Sequence, residues 1–365
     1  MTSRYRHFRR KVSTLRRWLQ QGLKDHWHNR RRAENGRFLV LRHPLGAGFY
    51  DPLLRWLAHN DRPERQLFEL RLLPCTVADW SPYRLFLPWL QDPVEDWCPA
   101  GFAQAKALAL ACDERGIPVV NRVEHLAHAT KWEGARRMAR AGLRTPRMSP
   151  IVDEAAFRDH LGGLTPPFFI RNDRGHGGPV FRVDSRDQVA AIPFGAFSHP
   201  VAVELVDVAN ADGLYRKYRY LAVGDVGISY HLVISPHWIT RRADHLYTPA
   251  TQGEELSYID RPDPHHEDFQ RARRELALDF VAFDYGYDRD GQMVVWEANP
   301  YPHIYFSGKD GKLLYRSAAI HRTFAAMLIL YLQLARHPVP EDLVDMVATG
   351  TPAATRALQG WVVPR

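Results

Sequence analysis

Two carboxylates and one amide in the last third of the sequence have the residue types and the spacing of a magnesium site. Asp284 precedes the turn-forming segment 288–291 (Asp-Arg-Asp-Gly), and Glu297 and Asn299 follow it after a short apolar run. The two flanking runs predict an antiparallel hairpin. Carboxylate and amide oxygens are the hard donors that Mg²⁺ prefers, and such a site keeps positions open for phosphate oxygens.

The predicted hairpin brings these three side chains to one face of a sheet. A short closing loop sets residue 287 opposite residue 292 and residue 284 opposite residue 295. Because alternate residues of a strand point to the same face, the two carboxylates and the amide then lie side by side. A solvated carboxylate face on a surface hairpin has the same composition, so the hairpin alone does not decide between a metal site and an ordinary surface.

A glycine-rich loop lies upstream of the hairpin. Residues 171–178 read Arg-Asn-Asp-Arg-Gly-His-Gly-Gly and follow the apolar run 168–170, which is typical of a strand. Glycines carry no Cβ, so backbone N–H groups in such a loop can approach phosphate oxygens closely. A hairpin tip has a similar composition, but a basic residue (Arg171), a glycine loop and a carboxylate hairpin in this order indicate a nucleotide–Mg²⁺ site.

The order of these motifs resembles that of the ATP-grasp superfamily, whose carboxylate–amine ligases include the ribosomal-protein glutamate ligases, glutathione synthetase and D-alanine–D-alanine ligase. The resemblance covers roughly residues 36–335. Residues 121–131 resemble the family's helix with the first phosphate lysine, and residues 141–146 resemble the lead into the small ATP lobe. Residues 168–178 resemble the glycine loop, and residues 203–206 resemble the acidic hinge strand that reads adenine. Residues 215–223 resemble the strand with an arginine facing the phosphates, and residues 284–300 resemble the metal hairpin.

The resemblance implies a role for each matching residue. The implied ATP-binding residues are Lys131, Arg171, Gly175, His176, Gly177, Gly178, Glu204, Leu205, Val206 and Asp212. Arg219 would be the catalytic residue, stabilising the transferring phosphoryl group. Glu297 would bridge two Mg²⁺ (or Mn²⁺) ions, with Asp284 and Asn299 on either side.

Two positions depart from the family pattern. Arg171 stands where lysine is usual, although arginine can hold phosphate bidentately. Lys217 stands two residues before Arg219, where many relatives place an acid for the ribose. We therefore expect Asp207 or Asp212 to take over that contact.

The resemblance implies ATP-dependent ligation, in which a substrate carboxylate becomes an acyl phosphate and an amine then attacks it. Such chemistry needs positioning and charge neutralisation more than a protein nucleophile. Two alternatives stay open: an ATP-dependent phosphotransferase on the same fold, and a non-catalytic nucleotide-binding scaffold protein. The expected substrates are small-molecule or peptide carboxylates and amines, and the oligomeric state is left open, a homodimer included.

The positive charge of the chain is concentrated at its N-terminus. The 365 residues carry a formal net charge of +8, yet residues 1–37 hold twelve Lys/Arg against Asp25 and Glu34, so the remainder is −2. Nucleic-acid binding by residues 38–365 is therefore not expected. Residues 5–23 place Tyr5, Phe8, Val12, Leu15, Leu19 and Leu23 at helical spacing between arginines. This arm could pack on its own enzyme, which we favour, or contact an acidic partner or an anionic membrane surface.

Composition favours a folded protein of reducing compartments. Apolar residues are 45% and charged residues 25% of the chain, and its three cysteines form no CxxC pair. No apolar stretch follows the basic N-terminus as in a signal peptide, and the longest apolar run, 324–335, predicts a buried helix. We expect a cytoplasmic protein, membrane-peripheral at most through its N-terminal helix.

The pattern of elements predicts an α+β or α/β architecture, namely an ATP-grasp fold with an N-terminal parallel α/β domain and a basic N-terminal helix. The expected domains are a basic arm (1–35), a pre-ATP-grasp α/β domain (36–125), an ATP-grasp domain (126–340) and a C-terminal tail (341–365). Within the ATP-grasp domain we expect a small ATP lobe at about 146–200 and a metal and substrate lobe at about 201–340.

Overall fold

The computed structural model describes residues 3–44, 46, 50–175, 177–306 and 313–349. Its strands are β1 (Arg37–Arg42), β2 (Phe68–Leu72), β3 (Tyr83–Trp89), β4 (Met148–Pro150), β5 (Phe168–Asn172), β6 (Val180–Val183), β7 (Pro200–Glu204), β8 (Tyr215–Val223), β9 (Val226–Ser235), β10 (Phe280–Tyr287) and β11 (Met293–Asn299). Its α-helices are α1 (Ser3–Asn29), α2 (Asp51–His59), α3 (Val94–Trp97), α4 (Pro99–Asp113), α5 (Lys131–Arg140), α6 (Glu154–His160), α7 (Pro249–Ile259), α8 (His266–Leu276), α9 (Ser317–Leu334) and α10 (Glu341–Thr349).

The described residues form two compact units. The first contains the described residues of 1–124, 303–306 and 324–349, and the second contains those of 125–302 and 313–323. Helix α9 therefore begins in the second unit and continues in the first.

The first unit is built on a parallel sheet in the order β2-β1-β3. The central strand β1 is apolar along 38–41, and all four of these side chains are fully buried, as expected for a parallel strand that is covered on both faces. Helix α2 contributes Trp56 and Leu57 to this core, and Tyr331 of α9 packs edge-on against Phe38 and Phe68. The predicted N-terminal parallel α/β layer is confirmed.

The C-terminal end of α1 covers the outer edge of β2 with polar side chains. The Asn29 amide donates to the Leu70 carbonyl at 2.8 Å and accepts from the Leu70 N–H at 2.9 Å. The His28 ring lies 2.9 Å from the Phe68 carbonyl oxygen. An edge strand presents unpaired backbone groups, and these side chains give some of them partners.

The docking face of α1 differs from the expected one. We favoured packing through the apolar stripe, but Leu19 and Leu23 of that stripe are 52% and 62% exposed. The side chains of Tyr5, Phe8, Val12 and Leu15 lie outside the described residues. The helix is instead held at its polar side, where the buried Asp25 pairs with the buried Arg42 of β1.

The second unit contains two four-stranded antiparallel sheets. One has the order β4-β7-β5-β6 and the other has the order β11-β10-β8-β9. Helix α8 covers the outer face of the second sheet, where the Phe269 ring stacks on Tyr220 of β8 and on Phe283 of β10. Because strand side chains alternate, Arg219 and Asp284 are directed to the opposite face of their sheet, toward the β4-β7-β5-β6 sheet of the same unit.

One described stretch, Leu314–Leu334, is long and apolar enough to cross a bilayer by length and composition, and 72% of its apolar window is buried inside the protein. That burial is the property of a core helix, as predicted from the apolar run at 324–335.

Candidate active site

The hairpin of β10 and β11 places Asp284 directly opposite Glu297. The predicted register was wrong: residue 287 pairs with 293, not 292, and Asp284 pairs with 297, not 295. Five residues, 288–292, separate the two strands, and the Asp288 N–H donates to the Gln292 carbonyl at the base of this turn. A bulge between Asp284 and Tyr285 then adds Trp296 as an extra residue on β11. Directly opposed residues point to the same face, so both carboxylates still share it.

Asp284 lies at the centre of this face between two cations of β8. It pairs in register with Arg219, whose Nε and Nη2 donate to the two carboxylate oxygens at 2.6 and 2.8 Å. The Lys217 Nζ lies 3.7 Å from the same carboxylate. Burial alone would raise the pKa of Asp284, but Arg219 and Lys217 more than offset that effect, and the pKa lies below its ordinary value. Asp284 is therefore ionised at neutral pH.

Arg219 shows the complementary effect. Burial acts to lower the pKa of its guanidinium, but the charges of Asp284 and Glu297 outweigh it and raise the pKa above its ordinary value. The guanidinium is a permanent cation held in place by a two-point contact.

Glu297 lies between two further cations that come from outside its own sheet. Its carboxylate oxygens are 3.8 Å from the Lys131 Nζ and 3.9 Å from the Arg171 Nη2. Lys131 is the first residue of α5, and Arg171 lies on β5 of the other sheet. Cations from a helix and from both sheets therefore converge around one carboxylate pair.

The start of α5 also holds the glycine loop. Thr130 caps the helix by accepting from the Glu133 N–H, and the Lys131 N–H donates to the Asp173 carbonyl. The Lys131 ammonium donates to the Gly175 carbonyl oxygen. Gly175 has φ of +74°, which strongly favours glycine. The loop and the buried lysine are thereby joined as one structural element.

The cations and the two carboxylates described above, together with Gly175, line a cavity of about 600 Å³ between the two sheets of the second unit. Its described lining contains seven cationic and four acidic side chains: Lys131, Arg171, Arg174, Arg182, Lys217, Arg219 and Arg241, and Glu204, Asp207, Asp284 and Glu297. Apolar side chains, among them Met148, Phe169 and Leu205, form the rest of the wall. A cavity of this size with an excess of positive charge suits a ligand with one apolar ring system and several negative charges.

No protein-family model matches the sequence, and no curated protein matches it at a significant level. Solved structures do match. The VanG D-Ala:D-Ser ligase of Enterococcus faecalis is similar over 83% of this chain and 100% of that one, with a TM-score of 0.51 and 14% identity. The chain has the ATP-grasp fold. The ATP-grasp ligase PsnB, solved with precursor peptide PsnA2 and AMPPNP, is similar over 81% of this chain and 98% of that one, with a TM-score of 0.50 and 15% identity.

Most of the residues selected by their resemblance to the ATP-grasp family reach the cavity. Those that line it are Lys131, Arg171, Gly175, Gly177, Gly178, Glu204, Leu205, Val206, Arg219, Asp284 and Glu297. His176 lies outside the described residues.

Two selected residues are not among those lining residues. The Asp212 carboxylate is directed to Arg216, with which it pairs at 2.8 Å, whereas Asp207 does line the cavity. The Asn299 side chain is buried, and its oxygen accepts from the Tyr301 N–H at 2.9 Å. The ATP-grasp pattern in the sequence therefore located the region, while individual side chains were placed by local hydrogen bonds.

Two of the side chains that line the cavity, Lys217 and Trp238, had no site role assigned from the sequence. Lys217 was noted only as a departure, yet it lines the cavity beside Arg219; the two-residue spacing along one strand was the available signal. Trp238 comes from the segment after β9, where no periodicity marks it. Its ring packs 5.3 Å from Phe169, and the Arg182 guanidinium lies over it at 5.4 Å.

His231 of β9 pairs in register with Arg219. Burial, and then the positive charges of Arg219 and Arg316, lower the pKa of its imidazole well below the ordinary value. His231 is therefore neutral at physiological pH and adds no positive charge beside Arg219.

The oxygen donors of the cavity fit a cation that is shared with a phosphate ligand. Among the described residues, no group of three His, Cys, Asp or Glu side chains could hold a metal ion. Asp284 and Glu297 supply two opposed carboxylates, so the remaining ligands of a Mg²⁺ ion would have to be water and phosphate oxygens. That is the usual mode of Mg²⁺ binding in nucleotide sites.

Proposed function

We propose that this chain is an ATP- and Mg²⁺-dependent ligase that activates a substrate carboxylate as an acyl phosphate and joins it to an amine. The observation that carries the proposal is the line Arg219–Asp284–Glu297 across three neighbouring strands, facing Lys131 and Arg171 in one cavity. Two opposed carboxylates among four cations are suited to a metal–triphosphate complex.

The cavity wall supports a specific placement of ATP. Lys131 and Arg171 would bind the phosphates together with the backbone of Gly175, Gly177 and Gly178. The adenine would lie against the strand end at 204–206 and the apolar wall. Asp207 would be the ribose ligand in place of Asp212, because Asp207 lines the cavity although its carboxylate also pairs with Arg289 at 2.7 Å.

Asp284 and Glu297 would hold Mg²⁺ or Mn²⁺. Asn299, whose side-chain oxygen also accepts from the Tyr301 N–H, would be a third donor through the second lone pair of that oxygen. Bound there, the metal neutralises phosphate charge and aligns the γ-phosphoryl group. Arg219 is fixed by Asp284 and would neutralise charge that develops on the phosphoryl group in transfer. A substrate carboxylate oxygen attacks the γ-phosphorus, and the bond to the bridging oxygen breaks to release ADP. The amine then attacks the acyl carbon, the C–O bond to phosphate breaks, and inorganic phosphate and a proton leave.

The two structural neighbours define the first substrates to try. One is described as a D-Ala:D-Ser ligase and the other was solved with a precursor peptide. We propose an amino-acid or peptide carboxylate as the acceptor of the phosphoryl group and a small-molecule or peptide amine as the nucleophile.

Calorimetric titration with ATP and Mg²⁺ tests the nucleotide site, and absence of binding would refute the proposal. ADP release is then measured with pools of amino acids and carboxyl-bearing peptides, with and without amines. A ligase gives ADP and phosphate in equal amounts together with an amide. ADP with a stable phosphorylated product identifies a phosphotransferase, and binding without ADP release identifies a scaffold protein.

We also propose the division into an arm (1–35), a pre-ATP-grasp domain (36–125), an ATP-grasp domain (126–340) and a tail (341–365), of which residues 350–365 lie outside the description. The proposed setting is the cytoplasm, where the arm would contact an acidic partner or an anionic membrane surface. Expression of residues 36–365 tests whether the arm is dispensable for ATP binding.

A further inference from the structure

We infer that α1 is an interfacial helix that attaches the protein to an anionic lipid surface through the exposed apolar face at Leu19, Leu23 and Trp27. This inference is independent of the proposed ligase chemistry.

The first observation is that α1 docks on its own unit with its polar side. Asp25 pairs with Arg42, and Asn29 and His28 bond to the backbone of β2. At 3.6 residues per turn, positions 21, 25 and 28 share one face of the helix. The folded protein thus covers the polar face of α1, which is the reverse of how an amphipathic helix normally packs.

The second observation is the apolar face that this docking leaves in solvent. Leu19, Leu23 and Trp27 recur at four-residue intervals and are 52%, 62% and 65% exposed. Scattered apolar residues on a surface are ordinary, but a row on one helix face marks a contact surface. In the sequence, apolar residues continue toward the N-terminus at alternating intervals of three and four residues, at Tyr5, Phe8, Val12 and Leu15.

The third observation is the charge around that face. The exposed side chains of the described arm include Arg16, Arg17, Lys24, Arg30, Arg31 and Arg32. The acidic side chains of residues 16–35 are Asp25, which is buried against Arg42, and Glu34. A second copy of this chain would present the same positive charge, so self-association through this face is opposed by repulsion.

Charge and apolar contact together select lipid among anionic partners. A nucleic acid would use the cations but would give the leucines no apolar phase to enter. The boundary of an anionic bilayer offers phosphate charge above and acyl chains beneath, and tryptophan favours that boundary. The Arg30 guanidinium over the Trp27 ring, 5.0 Å from its centroid, combines both features at one position.

The test is co-sedimentation of the full-length protein with vesicles of phosphatidylcholine alone and of phosphatidylcholine with phosphatidylglycerol. We expect binding to the anionic vesicles that falls about tenfold or more in the triple variant Leu19→Ser, Leu23→Ser, Trp27→Ser. Replacing Arg16, Arg17 and Lys24 by Gln should also weaken binding and reduce its dependence on salt. Val152→Ser is the matched control, because Val152 is 97% exposed but lies in the other unit.

The substituted leucines and tryptophan are exposed, so the melting temperature of the triple variant should match that of the wild type, which a thermal scan verifies. Vesicle binding that the triple variant retains would overturn the inference. Equal binding of wild type and triple variant to polyglutamate, with no binding to anionic vesicles, would also overturn it and assign the arm to an acidic protein. Failure to bind ATP would refute only the ligase proposal.

Discussion

Arg219 and Asp284 lie opposite one another on neighbouring strands and form a two-point ion pair, with N–O distances of 2.6 and 2.8 Å. Lys217 adds a second cation 3.7 Å from the same carboxylate. Asp284 is therefore already neutralised by protein cations before any metal binds. A metal ion must compete with Lys217 for the Asp284 Oδ2 atom.

Replacing Glu297 by Ala should separate nucleotide binding from turnover. The carboxylate lies within 4 Å of Lys131 and Arg171, so its loss removes a negative charge that competes with phosphate for both cations. Metal-free ATP affinity should stay equal or rise, while Mg²⁺-dependent ATP turnover falls by about a hundredfold or more. Calorimetry and ADP release measure the two effects. Asp225→Ala is the control, because that carboxylate is 91% exposed and outside the cavity lining. Wild-type turnover in Glu297→Ala would refute the metal assignment.

Replacing Lys217 by Met should have opposite effects on two ligands. Without this ammonium group, Mn²⁺ alone should bind about tenfold more tightly, because Asp284 loses a competing cation. ATP alone should bind about tenfold more weakly, because the cavity loses a positive charge. Electron paramagnetic resonance of Mn²⁺ and calorimetry of metal-free ATP give the two affinities. Lys217→Arg keeps the charge and should keep both values; changes of the same sign in the Met variant would contradict the competition.

Replacing Gly286 by Ala should destabilise the hairpin that carries both carboxylates. A methyl group at residue 286 would lie 2.5 Å from the Trp296 ring and 2.8 Å from the Arg216 carbonyl oxygen. We expect a loss of about 1–3 kcal/mol in the free energy of unfolding and weaker ATP binding, since Trp296 lines the cavity. Gly253→Ala is the matched control: it lies inside α7 with open space around it and should gain up to about 1 kcal/mol. Equal melting temperatures for the two variants would contradict the expected clash between a methyl group at residue 286 and the Trp296 ring.

Acid should weaken the attachment of α1 through His28. Burial lowers the pKa of this imidazole to about 4 from 6.5, and the bond to the Phe68 carbonyl only partly offsets that effect. The His28 imidazole binds a proton less readily in the folded state than in the unfolded state. The contribution of the buried, neutral His28 to the free energy of unfolding is therefore complete above pH 6.5 and is lost as the pH falls toward 4. Its full size is about 3 kcal/mol. Melting temperatures between pH 7.5 and 4 should fall less steeply for His28→Gln than for the wild type, and parallel curves would contradict the assignment.

The sequence by itself determined the features that depend on local periodicity and on the order of motifs. Glu297 and Asn299 share a face because they are two residues apart on one strand. Asp284 lies on the neighbouring strand, and it kept a common face with Glu297 because the error in register at Asp284 was an even number, from residue 295 to residue 297. The ATP-grasp fold was likewise predicted from the order of its motifs and is confirmed. The concentration of positive charge in the arm follows directly from the number of charged residues in the sequence.

The tertiary structure decided everything that depends on register and on contacts between distant segments. The five-residue turn and the bulge at Trp296 set Asp284 opposite Glu297, because hydrogen bonds of the Asp288 side chain and backbone close the turn. Asp212 is directed to Arg216 by an ion pair that no motif encodes. The polar side of α1 is buried because an edge strand leaves backbone groups in need of partners, and that requirement appears only when the sheet has formed. Side-chain spacing is a local property of the chain, whereas hydrogen-bond partners are assigned by the folded molecule as a whole.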